Sequence, residues 1–123
     1  MKLVLIIGTG SFLGGSFRYL LSQFVQGRFL SSYPYGTFTV NIIGCFIIGL
    51  VFALSGKYNL SPEWRLFLAT GICGGFTTFS SFSFETMAMI REGQYLYSFL
   101  YIGSSIFLGL IAVYLGMTLF KLI

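Results

Sequence analysis

Histidine is missing from this 123-residue sequence, only three residues are acidic, and proline and cysteine occur twice each. Two isolated cysteines with no histidine do not make a zinc site. Cys45 and Cys73 both fall inside apolar runs, where a free thiol acts as a small hydrophobe and not as half of a disulfide. No nucleotide-binding loop, activated nucleophile or acid–base pair is present, and no carboxylate lies at the middle of a long apolar run, so catalysis and a proton relay are both disfavoured. Charge is scarce as well: 8% of residues carry one, against about 25% in soluble domains. The net charge of +4 comes from lysines and arginines scattered singly. That distribution suits headgroup anchoring and excludes a nucleic-acid footprint.

What is present is apolar surface, at 56% of residues. A spanning helix needs roughly 20 mainly apolar residues, and four such stretches fit, over about 3–24, 36–55, 62–90 and 95–120. The expected fold is therefore all-α and integral to the membrane, a single four-span domain over 1–123. The first apolar run continues past Phe17 without a small-residue cleavage site, so it reads as a span and not as a removed leader. Ser61-Pro62-Glu63 is a helix-start signature that opens the third span. Lack of a targeting segment suits a bacterial inner membrane, crossed several times.

The third span contains Gly71-Ile72-Cys73-Gly74-Gly75-Phe76-Thr77-Thr78-Phe79-Ser80-Ser81-Phe82-Ser83-Phe84. Three glycines weaken helix propensity by ~1 kcal/mol each relative to alanine, which predicts a local unwinding. Five hydroxyls then alternate with phenylalanines where lipid contact alone would favour Leu and Val. Non-helical backbone at membrane depth is tolerated only where protein covers it or it lines a polar cavity, so this stretch is the first candidate site. Carbonyls freed around Gly74 to Thr77 would suit a fixed Na⁺.

Other polar groups are few. Arg18 sits inside the first apolar run, where it either snorkels to the interface or faces a wet vestibule as an anion attractor. Thr37, Asn41 and Gly44 share one face of the second span. Asn41 is either a packing hydrogen bond or a donor lining a pathway. Ser98, Tyr101 and Ser105 recur at helical spacing in the fourth span, with Gly109 one turn on. Hydroxyls, an amide and the positive edges of phenylalanine rings could pass a small anion along without trapping it. Four helices leave no room for a wide central channel, so any pathway is narrow or lies between subunits. Four basic residues on one side (Lys2, Lys57, Arg65, Lys121) against three on the other (Arg18, Arg28, Arg91) give almost no orientation bias. A chain that inserts both ways and pairs with an inverted copy would look like this.

Gly74 to Ser83, Gly36-Thr37-Phe38-Thr39-Val40-Asn41 with Gly44 and Gly49, Gly14-Gly15-Ser16-Phe17-Arg18-Tyr19, and Tyr101, Ser105 and Gly109 together resemble the Fluc (CrcB-type) fluoride channels over nearly the whole chain. The resemblance implies an antiparallel, dual-topology homodimer of four-helix subunits with the third helix broken mid-membrane. It implies two narrow pores for passive fluoride exit, lowering cytoplasmic fluoride, and one structural Na⁺ at the dimer centre. Carried over residue by residue, Phe79 and Phe82 would line the pores with Asn41, Ser80 and Ser83. Tyr101 and Ser105 would form a polar track, the carbonyls of Gly74 and Thr77 would hold Na⁺, and Arg18 would stand at the vestibule. Gly109 departs from relatives that carry a hydroxyl there, and Glu85 matches an acid without a firm role. Two rivals come from other classes. A proton-coupled small multidrug exporter needs a mid-span acid, for which Glu85 is the only candidate; a non-transporting membrane assembly subunit would explain the glycines alone.

Overall fold

The computed structural model describes residues 1–122, and every regular element among them is helical. Among the described residues four stretches are long and apolar enough to cross a membrane: Lys2–Gln26, Tyr35–Tyr58, Pro62–Arg91 and Tyr95–Leu119. Three are single helices, α1 (Lys2–Gln26), α2 (Tyr35–Tyr58) and α6 (Tyr95–Leu119). The third is composite. One turn, α3 (Pro62–Arg65), runs into a π-helical segment (Leu66–Cys73), then α4 (Gly74–Phe76) and α5 (Phe79–Arg91).

Local chemistry sets the ends. Asn59 stops α2 in the left-handed region at φ 51°. The Ser61 hydroxyl accepts from the Trp64 N–H at 3.4 Å, and Pro62 takes the first helical position, where an N–H would go unused. Gly93 closes α5 at φ 77°, with its N–H donating to Ile90 at 3.0 Å and the Gln94 N–H to Met89 at 2.8 Å, the paired bonds of a left-handed C-terminal stop. Gln26 fastens the first connection. Its amide nitrogen donates to the Ser31 and Tyr33 carbonyls at 3.1 and 2.9 Å, and its oxygen accepts from the Gly36 N–H at 2.9 Å, so one side chain ends α1, shapes the loop and starts α2.

α1 packs along the π-helical segment and α4, while α2 and α5 pack along α6. Both seams rest on backbone close approach. A Cβ on Gly10 would stand 2.9 Å from the Gly71 Cα, and one on Gly75 would stand 2.6 Å from the Ser11 carbonyl oxygen. Across the other seam a Cβ on Gly49 would overlap the Val113 carbonyl, and one on Gly116 that of Phe46. The third-span glycines were expected to unwind the chain, yet Gly74 is helical at φ −62°, ψ −38°. Gly71 and Gly75 serve instead to bring α1 within backbone contact. Extended dihedrals come two residues later, at Thr77 (−92°, 157°) and Thr78 (−149°, 112°). Outward faces are large and apolar, such as Phe12, Phe107 and Leu110, whereas the most enclosed residues include Tyr101, Ser98, Thr78 and Thr86. Hydroxyls of α5, α6 and the junction before α5 are thus enclosed by protein, which suits a bilayer as solvent.

Candidate functional site

Two extended residues inside a helix leave backbone groups without their usual partners, and Asn41 on α2 supplies them. Its Nδ2 donates to the Thr78 carbonyl at 3.2 Å while its Oδ1 accepts the Thr78 N–H at 2.8 Å. The side-chain amide thereby pairs both polar groups of one residue. Gly44, one turn along the same face, makes room: a Cβ there would overlap the Thr77 methyl. The Thr78 hydroxyl caps α5 by accepting the Ser81 N–H at 3.1 Å and lies 3.3 Å from the Ser80 hydroxyl. The Thr77 hydroxyl donates to the Cys73 carbonyl at 2.9 Å.

These bonds divert two donors. In an uninterrupted helix the Thr78 N–H would go to the Gly74 carbonyl and the Ser81 N–H to the Thr77 carbonyl; here Asn41 and the Thr78 hydroxyl take them. Gly74 is exposed and Thr77 half-buried. Two carbonyl oxygens deprived of their helical donors are the kind of neutral oxygen pair that fits a hard monovalent cation such as Na⁺.

A cavity of about 430 Å³ opens beside this junction, lined by Asn41, Gly44, Thr77, Phe79, Phe82 and Ser105 among others. The Ser105 hydroxyl, on one of the lining residues, is buried with no hydrogen-bond partner. Phe79 is 79% exposed, its ring 5.9 Å from that of Phe82, which in turn lies 5.0 Å from the Tyr101 ring. Beyond Phe82 stands Glu85. Thr37 donates to one of its carboxyl oxygens at 2.6 Å and Tyr101 to the other at 2.8 Å, so hydroxyls from α2 and α6 converge on an acid of α5. Tyr33 packs edge-on to Tyr101 at 5.7 Å from the first connection. Burial pushes the Tyr33 phenol above the ordinary tyrosine range, outweighing the Ser104 hydroxyl, so it stays neutral through the physiological range.

Asn41, Gly74, Thr77, Phe79, Phe82 and Ser105 are thus gathered at one cavity. Ser80 joins through Thr78, and Tyr101 through Phe82 and Glu85. Ser83 does not line that cavity, and neither does Arg18, an α1 residue. Ser98 bonds back to its own helix at the Tyr95 carbonyl, 2.8 Å away. Reasoning from sequence passed over Thr78 as a site residue and left Glu85 without partners. The signal for Glu85 lay in Thr37, one turn from Asn41 on the polar face of α2.

The family described as CrcB-like protein, Camphor Resistance (CrcB), matches residues 5–117. The chain belongs to the CrcB-like family. Among the relatives of this CrcB-like chain is the "Fluoride-specific ion channel FluC" of Chlorobium phaeobacteroides (strain BS1), 47% identical over 120 residues, or 97% of this chain and 93% of the relative. The protein of that name from Gloeothece citriformis (strain PCC 7424) is 49% identical over 118 residues, 96% of each chain. That of Flavobacterium psychrophilum is 43% identical over 122 residues, 98% of each. The CrcB-like chain, with four helices able to cross a bilayer and relatives named as channels, is a multi-pass membrane protein.

Proposed function

We propose that this chain is a fluoride-selective channel that lets fluoride leave the cytoplasm passively, as one four-span domain working in an antiparallel, dual-topology homodimer in the bacterial inner membrane. The chain is not an enzyme. The observation that carries the reading is the agreement between relatives named for fluoride conduction and a cavity whose polar groups include hydroxyls and an amide but no free charge. A small, strongly hydrated anion needs replacement donors, and these must release it again. Ser105 offers an unused hydroxyl, and Asn41 Nδ2 keeps one N–H beyond its bond to Thr78. The edges of Phe79 and Phe82 add positive partial charge without a trap. Ser80, Ser83 and Tyr101 extend the pathway, with Arg18 at its vestibule drawing anions in. Glu85 holds the Tyr101 hydroxyl in place, so Tyr101 contributes chiefly by orientation of its ring against Phe82.

The break between Phe76 and Phe79 is read as lying mid-membrane, with the Gly74 and Thr77 carbonyls as half of a Na⁺ site. An isologous partner would bring the same two oxygens to the two-fold axis, completing a four-carbonyl cage. That ion, when bound, would fix the two broken helices against each other; the anion's own path runs along side chains.

The test is efflux from liposomes holding the purified protein, with valinomycin clamping charge through potassium and electrodes for fluoride and chloride. Fast fluoride release with negligible chloride release is expected. No fluoride release from a folded dimer would remove the assignment. Substrate-driven proton flux would then favour the exporter reading, to which Glu85, held by two hydroxyls, gives its only foothold.

A further inference from the structure

A second cavity, of about 550 Å³, lies on the α1 side of the third span, next to the first and sharing Cys73 with it, and it is almost wholly apolar. Phe17, Leu21 and Phe24 of α1 form one wall, Ile47 of α2 another, and Ile72 and Phe76 the floor. Its origin is the junction at Thr77 and Thr78. As far as Gly14, α1 is pressed against the third span, a Cβ there overlapping the Ile72 carbonyl. Past Phe76 the chain turns and α5 packs on α6 instead of along α1. The α1 face that carries Gly10 and Gly14 continues through Phe17, Leu21 and Phe24, since these spacings return to the same side of a helix. It is left facing a wedge.

The wedge is polar only at its mouth. Arg28, exposed in the connection just past α1, sets its guanidinium carbon 4.6 Å from the centroid of the Phe24 ring. Arg28 is exposed, so its guanidinium is free to meet an anionic group beside the apolar wall. A concave apolar slot with an arginine at its end is complementary to one kind of occupant, an amphiphile whose tail is hydrocarbon and whose head is anionic. A second copy of the chain would bring hydrocarbon to the wedge but owes nothing to the arginine.

We propose that this wedge binds one acyl chain of an anionic phospholipid, with its phosphate on Arg28. Each subunit then carries a lipid on the α1 side of the third span, filling the space that the diversion of α5 leaves beside α1. In this arrangement the lipid supports the packing of α1 against the broken span.

The experiment is native mass spectrometry of the full-length protein in detergent, titrated with dioleoyl phosphatidylglycerol or, separately, dioleoyl phosphatidylcholine. One phosphatidylglycerol per chain is expected, held about fivefold more tightly than phosphatidylcholine, the weight of one basic residue at an anionic surface. Arg28→Gln should bring the two lipids level. Leu21→Trp, which fills the wedge, should lower retention of both while gel filtration shows an unchanged oligomer. An undiminished phosphatidylglycerol preference in Arg28→Gln overturns the proposal, as does full retention by Leu21→Trp. Loss of the oligomer in Leu21→Trp would assign the wedge to a second copy and equally overturn it. Arg28 is exposed, so the headgroup comparison stands whatever the tryptophan does to packing.

Discussion

Asn41 does for Thr78 what a neighbouring strand does in a sheet, accepting one N–H and donating to one carbonyl of the same residue. Asn41→Leu would leave both groups without partners at a cost of ~1–3 kcal/mol for each buried group. Purified Asn41→Leu should therefore show a clearly lower unfolding midpoint by circular dichroism as well as lost fluoride flux. Thr78→Val keeps the backbone pair and loses the cap on α5 together with the contact to the Ser80 hydroxyl, for which ~1 kcal/mol is expected; equal midpoints for the two variants would deny Asn41 its structural share. The phenylalanines separate differently. Phe79 is mostly exposed and Phe82 rests on Tyr101. Phe79→Ile should thus lower flux with little change in unfolding midpoint, because an aliphatic group lacks the electropositive ring edge. Phe82→Ile should lower both, through its lost contact with Tyr101. Wild-type flux in both variants would take the rings out of the mechanism. Asn41 stood out in the sequence as a lone amide in an apolar run, but its partner did not. Thr78 is 37 residues away, and nothing local announces a bond at that distance.

At the scale of elements the hydropathy pattern marked all four spans, because each must bury a full bilayer's length of backbone in hydrocarbon. The glycines were harder to read. Helix propensity weighs the backbone entropy of a lone helix, and on that reckoning Gly71, Gly74 and Gly75 mark an unwinding. In the folded chain Gly71 and Gly75 are contact points with α1, and the extended residues are threonines whose hydroxyls and an asparagine from another helix offset the lost bonds. The difference between a contact glycine and a free one is measurable. A Cβ on Gly103 would have no neighbour within 4 Å, whereas one on Gly75 would meet the Ser11 carbonyl at 2.6 Å. Gly103→Ala should leave the unfolding midpoint unchanged or raise it by up to ~1 kcal/mol in stability. Gly75→Ala should destabilise by ~1–3 kcal/mol as α1 is pushed off the third span. A stabilised Gly75→Ala would mean that the seam is looser than the backbone distances require.

For the molecule as a whole, the near balance of basic residues carries the argument about assembly. Lys2, Lys57, Arg65 and Lys121 stand on one side, Arg18, Arg28 and Arg91 on the other. So little bias suits the proposed insertion in both orientations, which the proposed antiparallel pair needs. Glu92, exposed in the turn after α5, is a suitable reporter. In a background without Cys45 and Cys73, Glu92→Cys should be labelled by a membrane-impermeant maleimide from either side of sealed vesicles in comparable amounts. Adding lysines at Leu30 and Ser32, both exposed in the first connection, and replacing the exposed Lys57 and Lys121 by glutamine turns the balance to five basic residues (three plus two) against two (four minus two). This should hold the side of the first connection inside and confine labelling to one face. A chain locked this way has no inverted partner and should lose fluoride flux. Co-expression with a copy biased oppositely, by Tyr58→Lys and Leu122→Lys, should restore it. One-sided labelling of the unbiased reporter, or full flux from a chain locked in one orientation, would rule out the antiparallel pair and with it the four-carbonyl Na⁺ cage, since that cage is built only when Gly74 and Thr77 meet their inverted counterparts.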